Sequence, residues 1–324
     1  MQTLVLDRKN IALTARGERL QIHEEGQKPR QIPMRLLDRI VISASMDINS
    51  MLLRKLAGRG ISLLVINPRK PEDPAWISGP AHNDAERRVR QLRASDDDRI
   101  CRKVAAYLVG QKLQGHRSLL LRAIDRHPVH RSQLHRAERQ ISRAWLRLGE
   151  RDQSLDSLRG IEGAAAAAWF TACAALLPGE WNFHGRNRRP PRDPVNAMLS
   201  LGYTLADHVA NRKLQEQGWD PMIGFYHRLA WSRRSLSSDL LEPLRPLVDE
   251  WVLELVTEGH LQPGHFRDSG EGCFLAKEGR AIYYREWALC MLERLTAPLE
   301  RHLQHIGEIV HGDSVTSKDR LSAR

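Results

Sequence analysis

The sequence is poor in cysteine and has no long apolar run. Its four cysteines in 324 residues form no CxxC pair and no zinc-finger spacing, so neither a disulfide framework nor a thiolate zinc site is expected. The longest weakly polar stretch, 163–177, is mostly alanine and shorter than the roughly 18 apolar residues of a membrane-spanning helix. Residues 1–10 lack the apolar core of a signal peptide. These absences predict a cytoplasmic protein with reduced cysteines and no membrane contact.

Motifs of common nucleotide-dependent enzymes are also missing. The chain has no GxxxxGK[ST] and no GxGxxG, so nucleotide hydrolysis and dinucleotide binding are not supported. Acidic residues are in the minority, with 39 Asp and Glu against 50 Lys and Arg, which gives a formal net charge of +11. An excess of positive charge on a globular protein favours a polyanionic partner such as nucleic acid.

Two regions of different periodicity predict an α+β fold. Residues 1–83 contain short alternating or β-branched segments between charged and glycine-containing breaks, which is typical of strands joined by turns. Over 84–311 apolar residues recur at intervals of three and four, most clearly from Leu244 to Val256, which predicts helices. Residues 312–324 lack this periodicity. We predict a small β-rich N-terminal domain, a larger all-α catalytic domain and a disordered tail.

Glu162 is the first candidate for chemistry. It is the only acid between Asp156 and Glu180, and two glycines flank it on an alanine-rich segment. A glycine inside a helix lowers the stability of the helix by about 1 kcal/mol relative to alanine. Gly160 and Gly163 therefore suggest that another group approaches the helix backbone closely at this point. An acid at the solvent edge of the helix is the alternative.

His227, Asp239 and Glu242 complete a set of possible metal ligands. His227 lies in an aromatic and aliphatic segment, where a hydrogen-bonded core histidine is the alternative. Asp239 and Glu242 fall on one face of a helix that Ser237 or Ser238 can cap, where a solvated first turn is the alternative. Carboxylates with one imidazole suit Mg²⁺ or Mn²⁺, and such an ion can activate a hydroxyl for phosphodiester chemistry.

Arginines accompany both candidate segments. The loop over 182–194 is interrupted by prolines and carries four arginines, whose guanidinium groups match phosphate oxygens. A solvated basic loop is the alternative. The predicted DNA-binding residues are Arg186, Arg188, Arg189, Arg192, Arg233 and Arg234.

Four motifs in fixed order carry a family resemblance. They are LRGIEG at 158–163, RRPPRDPVNAMLS at 188–200, GFYH at 224–227 and SLSSDLLEPLRP at 235–246. Together they resemble the CRISPR-associated spacer-acquisition integrase family, the first-numbered of the Cas proteins. The resemblance extends over most of the chain, and that family has a similar two-domain fold.

The resemblance implies a divalent-metal DNA endonuclease and integrase that inserts short DNA segments into a CRISPR array by attack of a 3′ hydroxyl on a repeat phosphodiester. It implies that Glu162, His227 and Glu242 bind Mg²⁺ or Mn²⁺, with Asp239 as a supporting acid. It also implies a homodimer on double-stranded DNA, both protospacer and repeat. A small dimeric partner, the second-numbered Cas protein, would complete a heterohexamer-type complex, with 1–83 in dimer or partner contact. A basic helical scaffold that binds nucleic acid without catalysis is the alternative.

Overall fold

The structure, a computed structural model, has a strand-rich N-terminal region followed by a mostly helical region, which confirms the predicted α+β fold. It describes residues 2–67, 70–77, 79, 82, 84–150, 153–187, 190–231 and 233–321. Within these ranges no helix combines the length and apolar character required to cross a membrane.

The strands form two four-stranded sheets and one small hairpin. The first sheet has the order β1 (Gln2–Leu6), β5 (Leu37–Ile42), β7 (Ser62–Asn67) and β8 (Lys70–Ile77), with only the β7–β8 pair antiparallel. The second has the order β4 (Arg30–Pro33), β3 (Arg19–Glu24), β2 (Ile11–Arg16) and β6 (Asp47–Ile48). The hairpin pairs β9 (Phe266–Asp268) with β10 (Cys273–Leu275).

The helices lie mainly after residue 84. They are α1 (Ser50–Gly58), α2 (Ala85–Ser95), α3 (Asp98–Arg126), α4 (Arg131–Arg147), α5 (Leu155–Leu176), α6 (Pro194–Glu216), α7 (Ser235–Thr257), α8 (Lys277–Glu286) and α9 (Leu292–Leu321), with a π-helical turn at Trp287–Met291 before α9. α3 packs against both α5 and α7, and α6 packs against α7. This arrangement brings α3, α5 and α7 together around one part of the helical core.

The two central strands of the first sheet, β5 and β7, are largely buried. Ile40 and Ile42 of β5 pack with the second sheet and α1, whereas Val41 between them packs into the helical core. A strand buried on both faces has a continuous apolar run rather than an alternating pattern. This explains the uninterrupted apolar run at 40–42 and fixes the N-terminal region against the helices.

The last helix differs from the prediction. α9 continues to Leu321, through most of the segment 312–324 for which the sequence predicts a disordered tail. Extending an existing helix orders one residue per added hydrogen bond, so a polar sequence without proline can continue it. The predicted boundary at residue 83 lies outside the described residues, and the division into 1–83 and 84–311 stays a prediction.

Candidate active site

Side chains from three helices meet in one ion-paired cluster, which we call the outer cluster: Lys112 of α3, Glu162 of α5 and Glu242 of α7. Lys112 Nζ donates hydrogen bonds to Glu162 Oε1 and, over 2.7 Å, to Glu242 Oε2. The side chains of Lys112 and Glu242 are 5% and 7% exposed, and that of Glu162 is 20% exposed. α3 can approach α7 here because Gly115 has no side chain: a Cβ atom there would lie 2.8 Å from Cγ of Pro246.

Arg245 adds a second positive charge to Glu242. Its Nε donates to Glu242 Oε2 over 3.0 Å, and its guanidinium lies over the Tyr203 ring, 4.4 Å from the ring centre. Burial alone would raise the pKa of Glu242, but the positive charges of Arg245 and Lys112 outweigh burial and lower that pKa far below its usual range. Pairing with Glu242 likewise raises the pKa of Arg245 in spite of its burial. Glu242 is therefore a carboxylate at neutral pH.

Asp239 fixes the segment that carries His227. Its Oδ2 accepts hydrogen bonds from the backbone N–H groups of Phe225 and Tyr226, at 2.7 and 3.0 Å. Its Oδ1 accepts from the His227 backbone N–H at 2.8 Å and lies 2.7 Å from His227 Nδ1. Gly224 permits this approach, since a Cβ atom there would lie 2.9 Å from Asp239 Oδ2. Asp239 is fully buried and positions His227, whose Nε2 is the ring nitrogen left for a ligand or a proton.

The two carboxylates of the outer cluster and the imidazole of His227 are suitable ligand types for a hard divalent cation. Two carboxylates and one imidazole are the ligand types that Mg²⁺ and Mn²⁺ accept. Asp239, which holds His227, lies about one turn before Glu242 on α7. In the part of the chain that the structure describes, no three His, Cys, Asp or Glu side chains are already grouped around one ion position. Instead, Lys112 lies between the two carboxylates.

A second polar group, which we call the inner network, lies deeper in the core, between α3, α5, α6 and α7. Asp249 Oδ2 is 2.9 Å from His116 Nε2 and accepts from Trp169 Nε1 at 2.8 Å, while Oδ1 accepts from the Tyr203 hydroxyl. His116 also stacks on Trp169, with ring centres 4.7 Å apart. Burial lowers the pKa of His116, although the hydrogen bond to Asp249 acts in the opposite direction.

The sequence prediction does not include Lys112, Arg245 or Asp249. Each has a signal in the sequence, because each is a charged residue inside an apolar helical stripe. Lys112 lies four residues after Leu108 in α3, and Asp249 lies three residues before Val252 in α7, so each shares a helix face with apolar residues. A buried charge needs a partner, so these positions predict an ion pair, but only the tertiary packing reveals which residue provides it.

The structure assigns intramolecular contacts to two of the predicted DNA-binding arginines. Arg186 donates to Asn196 Oδ1 at 2.8 Å and lies over the ring of Tyr203, 5.5 Å from its centre. Arg234 donates to Asp207 Oδ2 at 3.0 Å. These side chains already stabilise the protein's own loops.

Of the four other predicted arginines, two are exposed and two lie outside the described residues. Arg192 and Arg233 are exposed, as a contact with an external phosphate requires. Arg188 and Arg189 lie outside the described residues. The assignment of all six to DNA stays a prediction.

The family model and the related sequences indicate the same protein family. Residues 4–288 match the family model described as CRISPR associated protein Cas1. The protein named CRISPR-associated endonuclease Cas1 1 of Thermodesulfovibrio yellowstonii is 36% identical over 286 residues, which is 88% of this chain and 89% of the relative.

Solved structures share the fold at lower identity. A casposase bound to an integration product has a TM-score of 0.75 at 21% identity, covering 89% of this chain and 82% of that chain. A Cas6-RT-Cas1–Cas2 complex has a TM-score of 0.80 at 21% identity, covering 96% of this chain and 35% of that chain. The arrangement of strands and helices described above is therefore similar to that of known proteins over nearly its full length.

Proposed function

Because the chain belongs to the CRISPR-associated Cas1 family, we propose that it is a divalent-metal-dependent DNA endonuclease and integrase of CRISPR adaptation. It inserts short DNA segments into the repeat array by attack of a 3′ hydroxyl on a phosphodiester. The observation that carries the proposal is the convergence of Glu162 and Glu242, from separate helices, on the same buried ammonium, with His227 held by Asp239 about one turn before Glu242 on α7.

Glu162, Glu242 and Nε2 of His227 would hold the ion. A bound Mg²⁺ or Mn²⁺ supplies a Lewis acid that activates the attacking hydroxyl and stabilises the negative charge on the phosphoryl oxygen. Two further residues of the chain act on these ligands before the ion binds. Asp239 orients the His227 side chain because it bonds both the ring Nδ1 and the backbone N–H of that residue. Arg245 keeps Glu242 ionised.

DNA binding would rest on the exposed basic side chains. Duplex DNA is densely anionic, and cationic groups that contact phosphates release its counterions, which gives salt-sensitive affinity largely independent of sequence. Arg192 and Arg233 are the exposed members of the predicted set. The proposed assembly is a homodimer that binds a Cas2 protein. A Cas6-RT-Cas1–Cas2 complex, which contains a chain that shares this fold, supports the Cas2 partner.

An integration assay tests the function. It uses the purified full-length chain, a Cas2 partner, a short DNA duplex and a supercoiled plasmid with the repeat array. We expect joined products with Mn²⁺ or Mg²⁺, loss of product with EDTA and recovery when the metal is restored. DNA binding that is unaffected by EDTA, without cutting or joining under any metal condition, would contradict the proposal and favour the non-catalytic scaffold.

A further inference from the structure

The charges around Glu242 already balance without a metal ion. The carboxylates of Glu162 and Glu242 face two cationic side chains, Lys112 and Arg245. A divalent cation added among all four would leave two uncompensated positive charges in a largely buried position, which is energetically unfavourable. Binding of the ion therefore requires that a positive charge move away.

Arg245 is the less movable of the two cations. It contacts Glu242 and lies over Tyr203, whose hydroxyl is itself bonded to Asp249 of the inner network. A planar guanidinium held on an aromatic face and a carboxylate is fixed in orientation.

Lys112 is held differently. Among the described residues its ammonium donates hydrogen bonds only to the carboxylates of Glu162 and Glu242, the two groups that a metal ion would engage. Its flexible four-carbon stem allows the ammonium to change position. The partly exposed side of Glu162 gives it a route towards solvent.

We propose that Lys112 is a built-in counter-ion: it holds the two glutamates together in the metal-free protein, and a divalent cation displaces it on binding. This inference rests on the proposed function, since it concerns the ion of that site. Lys112 would thereby keep the site assembled when no metal is bound, and it would lower the affinity of the site for the ion that replaces it.

Mn²⁺ affinity measured by isothermal titration calorimetry tests the competition. In the full-length protein, Lys112→Met removes the charge while keeping an apolar stem, and we expect Mn²⁺ to bind at least ten-fold more tightly. Lys112→Gln serves if the methionine variant does not fold. Arg102→Met, on the exposed side of the same helix, is the matched control and should bind like the wild type. Equal or weaker binding by the Lys112 variants would overturn the inference.

Displacement can be followed in the wild-type protein without any substitution. Lysine acetylation by acetic anhydride, located by mass spectrometry, reports the accessibility of each ammonium. We expect Lys112 to react slowly without metal, because its side chain is 5% exposed, and several-fold faster in saturating Mn²⁺. Lys277 is exposed in α8 and should react equally in both states. A Lys112 rate that does not rise with Mn²⁺ would contradict displacement.

Different results would contradict the proposed metal site and the counter-ion role of Lys112. If neither the wild type nor the Lys112 variants bind Mn²⁺, the metal site of the proposed function is wrong, and the counter-ion role is overturned with it. If the wild type binds Mn²⁺ and Lys112→Met binds it no more tightly, the proposed function stands and only the counter-ion role is overturned. Mn²⁺ binding that appears only in the Lys112 variants would contradict displacement, because the wild-type site would then not exchange the ammonium for the ion.

Discussion

The outer cluster and the inner network share helices α3, α5 and α7, to which the inner network adds Tyr203 of α6, but their carboxylates have different kinds of partner. Lys112 and His116 are one turn apart on α3, and Glu242 and Asp249 are two turns apart on α7. In the inner network the single carboxylate of Asp249 is saturated by donors that packing holds in place. In the outer cluster two carboxylates share a flexible ammonium.

This difference indicates which group can exchange partners. An aspartate that accepts hydrogen bonds from an indole and a phenol loses them only if the core opens. Carboxylates bound by an ammonium next to the partly exposed Glu162 can exchange it for another cation. We infer that the inner network stabilises the helices and the outer cluster carries the chemistry.

The largest expected effect concerns stability. Asp249→Ala should lower the free energy of unfolding by about 3–5 kcal/mol, since it leaves His116, Trp169 and Tyr203 without their buried partner, at a cost of about 1–3 kcal/mol for each group. Urea denaturation followed by tryptophan fluorescence measures the loss. Glu162→Gln, in the partly exposed part of the outer cluster, is the matched variant and should lose no more than about 1 kcal/mol. Similar losses in both variants would remove the distinction between the two regions.

The next largest effect concerns activity. Glu162→Gln, His227→Ala and Glu242→Gln should each reduce strand cutting and joining at least about 100-fold, because loss of a metal ligand costs at least as much as loss of a group that orients one. Quantified product bands and circular-dichroism melting curves from the same preparations separate activity from folding. Retained activity in His227→Ala would contradict its assignment as a ligand.

A smaller effect is expected for the group that orients the ligand. Asp239→Asn keeps the shape of the side chain but weakens the contacts to the 225–227 segment, so Mn²⁺ affinity and activity should fall about 10–100-fold. Calorimetric titration with Mn²⁺ measures this, and a thermal midpoint near that of the wild type excludes general unfolding. Unchanged Mn²⁺ affinity would show that Asp239 does not act through His227.

The smallest effect is a dependence of stability on pH. Burial lowers the pKa of His116 in the folded protein, whereas a histidine in an unfolded chain has a pKa of about 6.5. Between these two pKa values the unfolded chain binds more protons, so the free energy of unfolding should fall as the pH drops below about 6.5. Denaturation curves for wild type and His116→Gln between neutral and acidic pH measure this, and an identical slope in both would contradict it.

The sequence predicts the family and the fold class where a local pattern carries the information. The order of four motifs indicates the family and singles out Glu162, His227 and Glu242, and the change of periodicity near residue 84 predicts the α+β fold. These features depend on spacing along the chain, which the sequence contains directly.

Other features depend on packing between distant segments. The pairing of Lys112 with Glu162 and Glu242 joins residues 50 and 130 positions apart, and no local pattern specifies it. Asp239 is predicted only as a supporting acid, because its contacts with three successive backbone N–H groups require the fold of the 224–227 turn. The contacts of Arg186 and Arg234 within the protein likewise cannot be predicted from a local sequence pattern.

Anomalous diffraction at the manganese edge tests the central claim most directly. Crystals of the full-length protein grown with Mn²⁺ should show an ion within about 2.0–2.4 Å of Glu162, Glu242 and Nε2 of His227, with the inner network unchanged. A manganese ion bound at another place, or none at this position in saturating Mn²⁺, would contradict the account.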